Sequence, residues 1–129
     1  MLVVDEVAEG KLSMEERFDI TQTHFEYQGE HDNYVAAFNG AMSIPDMQEY
    51  SLVYSENTPA YALAERLGGM DKAYEMFSRY GQSKGELKTI SRENNKTTTD
   101  YYIQVLEYLS KNQEKYKDIL YYIGESFPG

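Results

Sequence analysis

The chain has 129 residues, no cysteine, no tryptophan, 13 tyrosines and a formal charge of −10, which predicts one compact acidic domain with a real but partly wet core. An acidic surface without a Lys/Arg cluster repels phosphate backbones and argues against nucleic acids and anionic membranes as partners. Without Cys there is no disulfide, thiol nucleophile or Cys-ligated zinc, and the longest apolar runs, Tyr34–Phe38, Ala60–Ala64 and Ile119–Ile123, are far too short to span a bilayer. Nothing basic precedes the apolar start, so the sequence reads as a soluble chain without an export signal.

The opening residues place Val3, Val4, Val7 and Ala8 on one helical stripe that stops at Gly10, a natural left-handed cap. No Ser, Thr, Asp or Asn precedes Leu2, and the expectation is a cut inside a longer helix. From Arg17 to Gln28 weak alternation of Phe18, Ile20, Phe25 and Tyr27 predicts a short extended segment, followed by a polar turn over Gln28–Asn33. Tyr34–Phe38 reads as a brief helical turn ended by Asn39-Gly40.

Ser43-Ile44-Pro45-Asp46 is a helix start: Ser43 caps, Pro45 suits the first turn, and Asp46 complements the dipole. That helix should turn Met47, Tyr50, Val53 and Tyr54 inward. Thr58-Pro59 starts another, with Ala60, Leu63, Ala64 and Leu67 on one face before Gly68-Gly69. Asp71 is expected to cap a third, whose face is Ala73, Met76, Phe77 and Tyr80 and which ends at Gly81. Gln82–Thr99, with only Leu87 and Ile90 aliphatic, predicts one long loop. Thr99 should cap a helix facing inward through Tyr102, Val105, Leu106 and Leu109, and Tyr116, Ile119, Leu120 and Ile123 form a last face before Gly124. The fold class is therefore an all-α bundle of five to six short helices with one long loop, as a single helical domain over residues 1–129.

His24, Glu26, Glu30, His31 and Asp32 offer metal-ligand chemistry, but their spacing matches no His-x-x-x-His pair or carboxylate loop, so they read as a polar surface turn. No metal or cofactor is expected. The tyrosines recur mostly at helical core spacing and read as core boundary rather than as a stacking platform.

The segment Tyr54-Ser55-Glu56-Asn57-Thr58-Pro59 joins the Ser43-capped helix to a small-residue helix ending in Leu-Gly-Gly. This arrangement resembles the Ser-Asp-Asn turn of class A β-lactamases and related penicillin-recognising serine hydrolases. Met1–Leu12 is similar to the end of that family's nucleophile-bearing helix, and Thr97-Thr98-Thr99 to the threonine run that follows its omega loop. Residues 17–42 match only in length and character.

The resemblance implies acyl transfer to a Ser-x-x-Lys serine from a β-lactam or a peptidoglycan-like amide, with backbone N–H groups holding the oxyanion. Ser55 would relay a proton to the leaving nitrogen, Asn57 would hold the substrate's side-chain amide and steady the catalytic lysine, and Glu56 would point inward and brace the turn. A hydroxyl serves the first role because it both donates and accepts; an amide serves the second because it can meet a carbonyl and an ammonium together. It also implies a parent that is secreted or on the cell surface, with cell-wall or antibiotic-resistance chemistry. The family's deacylating Glu sits in Arg-x-Glu-x-x-Leu-Asn, whereas here Arg92 and Glu93 are adjacent and Glu93 lies close to the threonine run, so a solvated loop charge is the expectation for Glu93.

No Ser has a Lys three places on, and neither Lys-Thr-Gly nor Lys-Ser-Gly occurs. The expectation is the helical lobe of a two-lobe hydrolase, inactive alone, whose partner is a missing α/β lobe. Such a lobe should expose the Met1–Val7 stripe and favour a homodimer. The alternative is an acidic helical protein-interaction module whose turn is only structural.

Overall fold

The computed structural model describes residues 1–82, 90–91 and 96–126. In chain order these form α1 (Leu2–Ala8), β1 (Arg17–Asp19), α2 (Gln28–Ala37), β2 (Ala41–Ser43), α3 (Ile44–Leu52), α4 (Asn57–Arg66), α5 (Met70–Met76), a 3-10 turn (Phe77–Tyr80), β3 (Ile90–Ser91), β4 (Lys96–Thr97), α6 (Thr99–Lys111) and α7 (Lys117–Glu125). Helices dominate, as the periodicity predicts. Among the described residues the strands form two short antiparallel ladders, β1 with β2 and β3 with β4.

Local chemistry explains several boundaries. Gly10, at φ +79°, ends α1; its N–H donates to Val7 O at 3.0 Å and that of Lys11 to Glu6 O at 2.9 Å, the paired bonds of a Schellman turn. Ser43 Oγ accepts from the Asp46 N–H and Asp46 Oδ2 accepts from the Ser43 N–H, both at 3.3 Å, closing a capping box at the start of α3.

The central core gathers Val3, Phe18, Ile20, Met42, Ile44, Met47 and Ala62, so the β1–β2 ladder, α1, α3 and α4 share one apolar interior. The register Phe18↔Met42 puts these two buried side chains opposite one another. Ile44 is fully buried, and Ile44→Ala should destabilise by about 2–5 kcal/mol, read as a lower urea midpoint at unchanged slope. A wild-type midpoint would refute that placement.

A second cluster, Leu2, Ala73 and Tyr80, and a third, Leu109, Tyr116 and Ile119, bring α5, the 3-10 turn, α6 and α7 against α1. Between the start of α1, α4, α5 and α6 lies an apolar cavity of about 470 Å³, lined among others by Leu2, Leu67, Ala73, Phe77, Tyr101 and Val105. Asp5 sits where the clusters meet. The residue is 3% exposed, and its carboxylate accepts from Tyr80 OH at 2.5 Å, Tyr116 OH at 2.6 Å and Arg79 Nη1 at 3.2 Å, with Lys115 Nζ 2.9 Å away. Burial pushes the Asp5 carboxyl up, but the hydrogen bonds from Tyr116, Tyr80, Lys115 and Arg79 outweigh it and bring it down to about 2.

Several expectations need correction. Gln28–Asn33 is not a turn but the first half of α2. The helix is held from outside, because Glu30 bonds to α4, His31 Nε2 donates to Ile20 O at 2.9 Å, and Tyr34 packs on Tyr50. Tyr54 is 58% exposed rather than inward, since α3 ends at Leu52. Ala60 is exposed while Ala62 is buried. At the start of α5, Gly69 takes the cap position at φ +110° and Asp71 falls within the first turn. Thr98, not Thr99, caps α6: its hydroxyl accepts from the Tyr101 N–H at 3.3 Å.

The buried face of α6 is also rotated. Tyr101 and Leu109 are buried while Tyr102, Ile103 and Leu106 are exposed, because the Tyr101 hydroxyl is tied to Phe77 O at 2.7 Å. On α7, Leu120 likewise faces outward. Leu2 and Val3 are each only 6% exposed and Val4 and Val7 are half-buried against the core clusters, so the Met1–Val7 stripe expected to lie bare packs inward, whereas Ala8 faces outward. Most of the predicted Gln82–Thr99 loop, including Leu87, lies outside the described residues.

Candidate functional site

The turn between α3 and α4 carries Ser55, Glu56 and Asn57. Ser55 is exposed and adopts φ +54°, a left-handed conformation uncommon for a residue with a Cβ. The chain then closes back on α3, with the Glu56 N–H donating to Tyr50 O at 3.2 Å. Glu56 takes the cap position of α4 and Asn57 its first helical position, followed by buried Thr58 and Pro59. Pro at this point suits the helix start because its missing N–H would have no intrahelical acceptor.

Behind the turn stand Glu30 and Tyr34 of α2. Glu30 Oε1 accepts from the Thr58 N–H at 2.6 Å. A hydrogen bond with Glu30 raises the Glu56 carboxyl above its ordinary value, and burial adds to it. Burial pushes Glu30 up as well, yet donors from Thr58, Glu56 and Asn57 hold it below the ordinary carboxylate value. Burial and the nearby charge of Glu56 raise the Tyr34 phenol. The two carboxyls are therefore pushed in opposite directions, Glu56 upward and Glu30 downward.

Asn57 also lines a polar cleft of about 730 Å³ with His24, Glu26, Tyr61, Glu65 and Asp71. Glu26 accepts from Tyr61 OH at 2.5 Å, Glu65 accepts from the His24 N–H at 3.1 Å, and the His24 ring meets Tyr61 edge-on at 4.7 Å. The residues weighed as metal ligands are therefore spread over separate tasks. His31 is buried on Ile20 O, and Asp32 lies 3.9 Å from its Nδ1. Among the described residues no three such side chains gather around one point.

Sequence reasoning placed Ser55, Glu56 and Asn57 together but missed Glu30 and Tyr34 as their support. No sequence signal pointed to them, because Ser55, Asn57 and Thr58 are themselves good cap residues and only the structure puts Glu56 at the cap position. Glu93 lies outside the described residues.

The model of the β-lactamase enzyme family matches residues 1–123. The chain belongs to the β-lactamase enzyme family. No curated protein sequence matches it. Among the described residues no helix is long and apolar enough to cross a membrane.

Proposed function

We propose that this chain is the helical lobe of a β-lactamase-like serine hydrolase and contributes the Ser55-Glu56-Asn57 turn to one wall of the cleft where a β-lactam or peptidoglycan-like amide is opened. The observation that carries this reading is the turn itself within a family-matched chain: an exposed hydroxyl and an amide held on a left-handed bend between two helices. Ser55 passes a proton to the leaving nitrogen. Asn57 bonds the substrate's side-chain carbonyl and the nucleophile's lysine, and Glu56 braces the bend. The nucleophile and its lysine come from a Ser-x-x-Lys motif that this chain does not contain, and the third wall from an α/β lobe. The full protein works outside the cytoplasm, where peptidoglycan and penicillins are met.

Covalent chemistry without the nucleophile is impossible on this reading. After incubation of the chain with penicillin, intact-mass spectrometry should find no adduct, whereas the full-length protein should gain one acyl group. A stoichiometric adduct on this chain, or none on the full-length protein, would defeat the proposal.

A further inference from the structure

We infer that Glu30 is a positioning residue for the Ser55–Asn57 turn: its carboxylate, carried on α2, caps α4 from outside and so fixes the bend on which Ser55 and Asn57 are presented. The functional half of this inference rests on the reading of Ser55 and Asn57 given above.

The start of α4 cannot cap itself. Glu56, at the cap position, makes no side-chain bond to the helix, and the first turn holds no acidic residue. Free N–H groups at a helix start need acceptors, and Glu30 provides one across 28 residues of sequence, 2.6 Å from the Thr58 nitrogen.

Glu30 itself lies in the first turn of α2, so two helix N-termini converge on one carboxylate and both favour its charge. The facing groups complete the clasp. Glu56 and Tyr34 stand beside it, and Tyr50 of α3 meets the Tyr34 ring edge-on at 5.6 Å. A bend holding Ser55 at φ +54° persists only where its surroundings over-determine it, and the Glu30 clasp supplies that constraint immediately after the bend.

Amide hydrogen exchange on this chain reads the clasp directly. Glu30→Ala should speed exchange at Thr58 by about tenfold to a hundredfold while amides in the middle of α6 keep their protection. Glu30→Gln, whose amide oxygen still accepts from Thr58, should recover most of the loss. In the full-length protein, Glu30→Ala should slow acylation by a chromogenic cephalosporin at least tenfold, and Glu30→Gln should restore most of it.

Wild-type protection at Thr58 in Glu30→Ala overturns the inference. So does lost protection with acylation at the wild-type rate in a protein where Ser55→Ala is slow. If Ser55→Ala and Asn57→Ala both acylate normally, the reading of the turn is what fails, and lost protection at Thr58 still supports Glu30 as the brace of the bend.

Discussion

Asp5→Ala should destabilise the chain by about 3–5 kcal/mol, the range for removing one partner of a buried ionic cluster. Most of that loss comes from the phenols. Tyr116 is wholly buried and Tyr80 nearly so, and each would lose the acceptor for its hydroxyl at about 1–3 kcal/mol apiece. Arg79 and Lys115 keep about a third or more of their side-chain surface exposed and can turn to water, so their share is small. Asp5→Asn should cost less, because its amide can still accept from one phenol and donate to the other.

The pH profile separates charge from packing. Asp5 titrates near 2 in the fold against 3.8 unfolded, so the unfolded chain binds its proton first as pH falls. The corresponding stability, about 2–2.5 kcal/mol, is complete well above pH 4 and is lost as pH drops from about 5 toward 2. At the alkaline end, burial and the bond to Asp5 raise Tyr80 and Tyr116, so stability falls as pH climbs past 10, where the unfolded phenols ionise first. Urea unfolding across pH checks both arms. An Asp5→Ala chain within about 1 kcal/mol of wild type at pH 7, or with the wild-type acid limb, would contradict the cluster's role.

Asp5 also shows where reading from sequence stops. Within α1 it stands between valines and carries no local sign of burial, while its partners Tyr80 and Tyr116 lie 75 and 111 residues away. The Ser43 box, the Pro59 helix start and the Gly10 stop were legible because each is local chemistry within a few residues. By contrast, Gln28-Gly29-Glu30-His31-Asp32-Asn33 has no apolar period and few good helix formers. It is helical because of contacts made at a distance, through Glu30 to Thr58 and His31 to Ile20. On α6 too many apolar residues compete: Tyr101, Tyr102, Ile103, Val105, Leu106, Tyr108 and Leu109 leave the helix several possible inward faces. One tertiary bond, from Tyr101 to Phe77, selects the face.

The candidate site divides in the same way. Ser55, Glu56 and Asn57 could be picked out because they are contiguous and sit between two recognisable helix signals. Their support could not, since Glu30 belongs to a stretch that reads in sequence as a polar turn. A site's reactive groups are often close in sequence on one turn, whereas the groups that fix their geometry come from whatever element packs behind. Here that element is α2.

The turn's own side chains should have the largest kinetic effects in the full-length protein. On the proposed reading, Ser55 donates the proton that lets the amide nitrogen leave, and general-acid groups of this kind contribute about 10²- to 10⁴-fold. Ser55→Ala should therefore lower the acylation rate within that range and leave KM nearly unchanged, because a hydroxyl that acts on the leaving nitrogen adds little to ground-state binding. Asn57→Ala should differ in kind. Its amide serves the substrate's carbonyl and the lysine together, so KM should rise and kcat should fall, by about tenfold each or more. Neither change empties the core, since Ser55 is exposed and Asn57 only half-buried, and both variants should unfold at wild-type urea concentrations. Stopped-flow acylation beside urea unfolding distinguishes the outcomes. Slow acylation at full stability places the turn in the chemistry, whereas wild-type acylation in both variants would leave Ser55 and Asn57 as an ordinary link between two helices.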